Sequence, residues 1–354
     1  MKKVLSWLLL ISVTAMSIYG LDNDAIKNFF EKASVFSAGT MVFGLQKKTE
    51  KQPVHLAVNS TTSVAETNES AELQSEVTLE SSSSTISVTP ADAKGKILSK
   101  IISPYGANLH YGKIYINNKT GQNIQIADEL KTGTKIKMKK CEEPEILIMH
   151  THATECFLVE DRDYYTDADV TRSTDNAKNI IAVGEVLKKE LENAGFSVVH
   201  DKTQHDYPSY NGSYTRSKAT VQGYLKKYSS IRVVIDLHRD AMASGNDKIA
   251  PTVEIANQKA AQVMLVMGSQ TGSITGHSKW KENLRLALLL QQQFEKKYPG
   301  FARSMLLKSA KYNQNLSTGS ILIEIGTDAN TLSQALYSGE LVGKTLAETL
   351  NQLK

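Results

Sequence analysis

The chain has 354 residues, of which 41% are hydrophobic and 22% are charged, proportions typical of a folded globular protein. Its net charge of +4, with no Lys/Arg-rich block, argues against nucleic acid as a partner, and its two cysteines exclude a disulfide framework and a Cys-rich zinc module. The charge is unevenly distributed, because residues 52–93 contain six acidic residues and no Lys or Arg.

The N-terminus carries an export signal. Two lysines precede an uncharged run of 18 residues, VLSWLLLISVTAMSIYGL, which is just long enough to cross a bilayer with the N-terminus in the cytoplasm. A cleaved signal peptide is the alternative, since Ala15 and Ser17 resemble a small-residue cleavage site, but bulky Ile18 and Tyr19 favour an uncleaved anchor. We therefore predict that residues 1–21 are a membrane anchor or signal-anchor and that the rest of the chain lies outside the cytoplasm.

Two further segments separate this anchor from the folded part of the chain. Residues 22–46 predict a membrane-proximal segment, and residues 47–94 are rich in Ser, Thr and Glu. The second composition offers too few large apolar side chains to offset the entropy of folding. We interpret residues 47–94 as an extended linker that holds a domain away from the membrane.

The remaining chain has the pattern of an α/β protein. Residues 95–141 predict a β-rich lead-in, because residues 113–116 and 123–126 read as strands around an Asn/Gly turn. From residue 142 onward, strands are predicted at 145–149, 196–199, 231–237, 263–267 and 321–325, and helices at 175–193, 213–228, 279–298 and 331–350. Apolar strands alternating with helices indicate a mostly parallel sheet with helices on both faces.

Three of these strands carry polar side chains where the fold would place a ligand. These side chains are His150, His152 and Glu155 after the first strand, His238 and Arg239 after the strand IRVVIDL, and Glu324 within the strand ILIEIG. Because ligands of open α/β sheets bind beyond the carboxyl ends of the strands, we expect these groups to meet at one edge.

The three strands together predict a hydrolytic zinc site. Two imidazoles and one carboxylate are usual zinc ligands, and we assign them to His152, Glu155 and His238. Zinc polarises a scissile carbonyl and lowers the pKa of a bound water from 15.7 to about 7. Glu324 is then the expected general base, and Arg239 or a backbone N–H would stabilise the oxyanion.

Each of these residues also has a purely structural interpretation. A single strand-end His is more often a hydrogen-bonded structural residue, and a buried Glu is often paired with Arg. The HxHxxE spacing is unusual for packing, however, and it favours the metal site, with His150 as a reserve ligand. Cys141 and Cys156 flank the first strand; we expect neither a disulfide between them nor a nucleophilic role for Cys156.

The motifs HTHATE, DLHRDA and ILIEIGTDANT, in this order, resemble the stage II sporulation protein P family. Its members are membrane-anchored peptidoglycan hydrolases of endospore-forming bacteria, related to the zinc-dependent N-acetylmuramoyl-L-alanine amidases. The resemblance covers residues 97–354 and the anchor-and-linker layout before them. It implies Zn²⁺ as the cofactor and a zinc amidase-like catalytic domain over residues 142–354.

The resemblance also implies residue roles. His152 and His238 match the zinc-binding histidines of the amidases, and Glu324 matches their catalytic glutamate. The wider amidase family takes its carboxylate ligand from the start of the first helix, where Asp175 lies in this chain. We favour Glu155 from the sporulation-type motif and keep Asp175 in reserve.

The implied function is cleavage of the amide bond between the lactyl group of N-acetylmuramic acid and L-Ala of the stem peptide. The alternatives are a zinc endopeptidase that cuts stem-peptide crosslinks and a non-catalytic wall-binding scaffold. The family places such an enzyme in septal wall remodelling and engulfment, as a single-pass protein of the cell membrane whose catalytic domain is extracytoplasmic, at the septum between mother cell and forespore. The implied partners are peptidoglycan, the membrane and stage II sporulation proteins D and M, without nucleic acid.

Overall fold

The structure is a computed structural model and describes residues 89–353. The expected anchor (residues 1–21), the membrane-proximal segment (22–46) and nearly all of the linker (47–94) lie outside the described residues. Among residues 89–353, no helix is both long enough and apolar enough to span a membrane.

The described residues form 13 strands and five α-helices. The strands are β1 (Gly95–Lys100), β2 (Leu109–Tyr111), β3 (Ile114–Asn118), β4 (Ile146–Met149), β5 (Tyr164–Tyr165), β6 (Val198–His200), β7 (Val233–Asp240), β8 (Ala243–Ser244), β9 (Asp247–Ile255), β10 (Gln258–Ala261), β11 (Val263–Gly268), β12 (Met305–Lys308) and β13 (Ser320–Thr327). The helices are α1 (Ile126–Thr132), α2 (Ile180–Asn193), α3 (Ser213–Lys227), α4 (Trp280–Lys297) and α5 (Leu332–Asn351).

Eight of the strands form the main sheet, in the order β2-β3-β12-β11-β13-β7-β4-β6. Only the β2–β3 and β11–β13 pairs are antiparallel, so the sheet is mostly parallel, as predicted. The four strands β13, β7, β4 and β6 run in the same direction, and their carboxyl ends therefore share one edge.

Helices cover both faces of this sheet, and β4 shows why its sequence is continuously apolar. Successive side chains of a strand point to opposite faces. Ile146 and Ile148 belong to the large core that also contains residues of α2, α4 and α5. Leu147 and Met149 pack on the other side with Val221 of α3. The α/β prediction with helices on both faces is therefore confirmed.

The lead-in does not stand apart from the rest of the described chain. Strands β2 and β3 extend the main sheet next to β12. Strand β1 joins a second sheet, ordered β10-β9-β1-β5, in which it runs parallel to β9. The short strand β8 also pairs with β9. The residues predicted as lead-in thus complete sheets that are built mainly by later strands.

The predicted strand at residues 123–126 is wrong, because helix α1 begins at Ile126. Two acidic residues, Asp128 and Glu129, occupy the first turn, where negative charge favours a helix. Glu129 is buried against α4, where Lys281 Nζ lies 2.7 Å and Arg285 Nε lies 2.8 Å from its carboxylate oxygens. These long-range ion pairs, invisible in the local sequence, fix the helix in place.

The predicted start of the next helix at Asp175 is also wrong. Helix α2 begins at Ile180, because the Asn179 side chain accepts the Ile181 N–H and caps the N-terminus. Asp175 therefore lies in the turn before the helix, with its carboxylate 3.3 Å from Lys178 Nζ.

Both cysteines are free in the structure. Cys156 is buried and its thiol donates to the Val170 carbonyl oxygen at 3.0 Å, whereas Cys141 is half-buried. Burial raises the pKa of the Cys156 thiol to about 11, so the group is a neutral thiol at neutral pH.

Candidate active site

The residues predicted as metal ligands come from two neighbouring strand ends. His152 and Glu155 lie in the loop that follows β4, and His238 lies near the end of the adjacent strand β7. The ring centroids of His152 and His238 are 5.3 Å apart, and Glu155 Oε2 is 3.6 Å from His238 Nδ1. The fold thus brings the three side chains together although 86 positions separate the two histidines.

His152 is held in place by aromatic rings. Its ring stacks on Tyr210 with centroids 4.5 Å apart, and Tyr214 meets it edge-on at 5.7 Å. Nδ1 of His152 is buried and has no hydrogen-bond partner within residues 89–353. Burial, together with the nearby His238 and Arg172, lowers the pKa of His152 well below its usual value. The imidazole is therefore neutral, the form that binds a metal.

Glu155 is buried and directed toward His238 by the backbone. The Arg239 N–H donates to Glu155 Oε2 at 2.9 Å, and Arg172 Nη2 lies 3.8 Å from the other carboxylate oxygen. Burial raises the pKa of Glu155, while His238 and the two arginines act in the opposite direction. A carboxylate in this position is well placed to share a cation with His238.

His238 is surrounded by carboxylates. Its Nε2 lies 2.8 Å from Asp236 Oδ1, and its Nδ1 faces Glu155. Burial opposes a charge on the ring, but Asp236, Glu155 and Glu324 raise the pKa of His238 to about 10. The three carboxylates therefore stabilise a positive charge at this point of the structure.

Glu324 lies on β13 directly opposite His238 in the parallel β7–β13 ladder. Its Oε2 is buried and has no hydrogen-bond partner in the described part of the chain. Burial, followed by the carboxylates of Asp240 and Glu155, raises the pKa of Glu324 well above its usual value, against the effect of His238. A carboxyl group with a raised pKa beside a candidate metal site suits proton transfer.

The other predicted site residues do not join this group. His150 is buried, but its Nδ1 lies 2.9 Å from the Leu237 carbonyl oxygen and its Nε2 lies 2.8 Å from His200 Nε2, so both ring nitrogens are occupied. Asp175 is exposed, with 48% of its side chain accessible, and it pairs with Lys178. Neither residue, as placed, offers a free donor atom beside His238.

The guanidinium of Arg239 is bound to backbone carbonyls. Its Nη2 donates to the Thr171 oxygen at 2.6 Å and its Nη1 to the Asp240 oxygen at 3.1 Å. The backbone N–H of Arg239 also donates to Glu155. Through these contacts Arg239 supports the loop that carries His152 and Glu155.

Sequence reasoning missed several residues of the site. Arg172 stacks over the Tyr210 ring at 4.8 Å, and its Nη1 donates to Asp206 Oδ2 at 2.8 Å. Asp206 also accepts the Thr154 hydroxyl and so anchors the loop between the predicted ligands. These contacts join residues 34 to 52 positions apart, and no local pattern signals them. Asp236 could have been noticed, since it is a charged residue in an apolar strand, two positions before His238.

The donor types fit zinc, which binds imidazole nitrogen and carboxylate oxygen. The 3.6 Å between Glu155 Oε2 and His238 Nδ1 is close to the separation of about 3.4 Å expected for two ligands of one tetrahedral zinc. The unpartnered, buried Nδ1 of His152 supplies a further free donor. As the side chains stand, no three His, Cys, Asp or Glu residues among 89–353 are grouped closely enough to hold an ion. To bind one zinc ion together, the side chains of His152, Glu155 and His238 would therefore have to move closer to one another.

The solved structures to which the chain is similar include two amidases. The CwlD amidase from Clostridioides difficile is 13% identical, with 58% of this chain and 94% of that chain covered and a TM-score of 0.32. The N-acetylmuramoyl-L-alanine amidase AmiC2 of Nostoc punctiforme is 11% identical, with 61% and 97% covered and a TM-score of 0.34.

Sequence comparison gives a more specific match. The family profile described as Stage II sporulation protein P (SpoIIP) matches residues 24–347. The Stage II sporulation protein P of Bacillus subtilis (strain 168) is 28% identical over 214 residues, which are 57% of this chain and 50% of that protein. The matched part of the chain thus spans about half the length of this curated relative.

Proposed function

The chain belongs to the stage II sporulation protein P family, and on that premise we propose that it is a zinc-dependent N-acetylmuramoyl-L-alanine amidase. The bond cut would join the muramic acid lactyl group to L-Ala of the stem peptide. The supporting observation is that His152, Glu155, His238 and Glu324, from three separate segments, meet at one edge of the sheet.

His152, Glu155 and His238 would hold the zinc, through two imidazole nitrogens and one carboxylate oxygen. Bound there, zinc would polarise the scissile carbonyl and lower the pKa of a water in its open position. The chain's own contribution is to keep both imidazoles buried and to fix Glu155 through the Arg239 N–H. Burial excludes bulk water and strengthens each electrostatic contact.

Glu324 would move the proton. Its Oε2, which has no partner among the described residues, would accept a proton from the attacking water and return it to the leaving amine. The raised pKa of the carboxyl group favours holding that proton between the two steps. The contacts of Arg239 with Thr171 and Asp240 favour a positioning role for its side chain, so we now propose that it supports Glu155 instead of binding the oxyanion.

The biological setting is part of the same proposal. The family suggests action on the septal wall during engulfment, with stage II sporulation proteins D and M as partners. The apolar run at residues 4–21 supports a cell-membrane anchor with the catalytic domain outside the cytoplasm. Without the acidic residues 52–93 the chain carries a net charge of about +10, which would favour retention near an anionic wall polymer.

Digestion of purified peptidoglycan by the full-length chain with zinc, followed by muropeptide analysis, tests the proposal. An amidase releases stem peptides with free L-Ala amino groups and leaves glycan strands without peptides. Cut crosslinks with intact lactyl-L-Ala bonds would instead identify an endopeptidase. If neither product forms, even with the partner proteins added, the chain is a wall-binding scaffold and the enzyme proposal fails.

A further inference from the structure

Asp236 is a buried carboxylate beside the candidate zinc ligands that the roles proposed above do not use. It lies on β7 two positions before His238, so both side chains point to the same face of the strand. Only 5% of Asp236 is exposed. A buried carboxylate is costly unless its oxygens are occupied, so its contacts indicate what it does.

One contact fixes the orientation of a candidate ligand. Asp236 Oδ1 lies 2.8 Å from His238 Nε2, at the distance of an ion pair. Nε2 makes no hydrogen bond within residues 89–353, but a carboxylate oxygen this close repels the lone pair of a bare nitrogen and so favours the tautomer that is protonated on Nε2. Nδ1 is then the nitrogen whose lone pair can bind a metal. Nδ1 is the atom that faces Glu155 Oε2, 3.6 Å away. The contact therefore directs His238 toward the other candidate ligands.

The other contacts of Asp236 reach the loop that carries His152. The Thr151 N–H donates to Asp236 Oδ1 at 2.8 Å, and the Thr151 hydroxyl donates to Oδ2 at 2.6 Å. Thr151 immediately precedes His152 in the chain, and Ser217 Oγ of α3 lies 2.9 Å from its hydroxyl. One side chain thus connects the two segments that supply the histidines.

We propose that Asp236 is the positioning residue of the zinc site, which holds His238 for binding through Nδ1 and fixes the His152 loop through Thr151. This inference rests on the proposed function, because it assumes zinc at His152, Glu155 and His238. Outer carboxylates of this kind orient metal-binding imidazoles and raise their basicity, and their loss typically weakens metal affinity about 10- to 100-fold.

The test measures zinc affinity of the full-length chain in detergent by competition with a chromogenic chelator, independently of activity. Asp236→Asn keeps the shape of the side chain but removes its charge, and it should bind zinc about 10- to 100-fold more weakly than the unaltered chain. Thr151→Val removes the hydroxyl contacts to Oδ2 and to Ser217 Oγ but keeps the Thr151 N–H bond to Oδ1 and the carboxylate beside His238, so it should bind zinc more tightly than Asp236→Asn. Cobalt(II) absorption should change in Asp236→Asn, since the orientation of His238 is altered.

Asp201 provides a matched control, because it is also a buried aspartate beside a histidine. Its Oδ1 lies 4.0 Å from His205 Nε2, and it accepts the Thr203 N–H and the Tyr224 hydroxyl. Asp201→Asn should therefore leave the zinc affinity and the cobalt spectrum unchanged.

The outcomes separate this inference from the proposed function. If the unaltered chain binds zinc and the zinc affinity of Asp236→Asn differs from it by less than about threefold, the positioning role is refuted and the zinc amidase proposal stands. If Thr151→Val weakens zinc as much as Asp236→Asn does, Asp236 acts only through the loop, and its proposed role on His238 is refuted. If the unaltered chain binds no zinc, both proposals fall.

Discussion

Glu324 and His238 lie directly opposite each other in the parallel ladder between β13 and β7. Paired positions on neighbouring strands point to the same face of a sheet, so the ladder itself sets a carboxyl group beside the candidate ligand. The two residues are supplied by different strands, and the role of each can be tested by its own substitution.

Substitution of Glu324 should separate turnover from metal binding. Glu324→Gln removes the group that accepts the proton, and we expect amidase turnover to fall about 10²- to 10⁴-fold with zinc content unchanged. Zinc analysis and a muropeptide assay on the same preparation measure both quantities. His152→Ala is the comparison, because it should lose zinc and activity together. Full activity in Glu324→Gln would show that another group accepts the proton.

The two candidate carboxylate ligands should respond differently to alanine. Glu155 is buried 3.6 Å from His238 Nδ1, whereas the Asp175 carboxylate is 48% exposed and paired with Lys178. We expect Glu155→Ala to lose zinc during dialysis and Asp175→Ala to keep it. Metal analysis of the dialysed variants decides the question, and zinc loss in Asp175→Ala alone would reverse the assignment.

Arg239→Ala should reduce stability. The guanidinium of Arg239 donates to the Thr171 and Asp240 carbonyl oxygens, and removing it leaves those groups without these partners. We expect the free energy of unfolding to fall by about 1–3 kcal/mol, measured by denaturant titration. Arg232→Ala is the control: Arg232 is half-buried and donates only to nearby backbone, so its loss should cost less than about 0.5 kcal/mol. Equal effects of the two substitutions would contradict the supporting role of Arg239.

His277 should make the fold sensitive to acid. Burial, together with the nearby Lys311, lowers the pKa of His277 to about 4. The unfolded chain takes up the proton near the usual value of about 6.5, so the stability contributed by the neutral ring is present above that pH and is lost as pH falls toward 4. Between these two pH values, this one group can change the free energy of unfolding by up to about 1.4 kcal/mol per pH unit.

The check compares His277→Gln with the unaltered chain by denaturant titration across this pH range. As pH falls from about 6.5 to about 4, the free energy of unfolding of the unaltered chain should decrease relative to that of His277→Gln. His110→Gln, at an exposed position on β2, controls for the removal of a histidine. A stability difference for His277→Gln that stays constant with pH would rule out the buried ring as the cause.

The strands of the sheet could be predicted from the sequence because burial on both faces leaves continuous apolar runs. The runs before His150 and His238 and around Glu324 correspond to β4, β7 and β13. Since parallel strands end at one edge, the meeting of their polar side chains followed from the strand order.

The errors and omissions have a common physical cause, namely contacts between distant parts of the chain. Helix α1 is fixed by ion pairs of Glu129 with α4, which local sequence does not reveal. Helix α2 begins where Asn179 caps it. Several polar residues precede Ile180, and the local sequence does not show which of them is the N-cap. The anchoring of the ligand loop by Asp206 spans 52 positions, so only the folded structure displays it.

X-ray diffraction of the zinc-loaded full-length chain at the zinc absorption edge would locate the metal relative to His152, Glu155 and His238. We expect one strong anomalous peak within about 2.0–2.2 Å of a ring nitrogen of His152, Nδ1 of His238 and a carboxylate oxygen of Glu155, with Glu324 beside it. A zinc peak at other residues, or none at this edge of the sheet, would contradict this expectation.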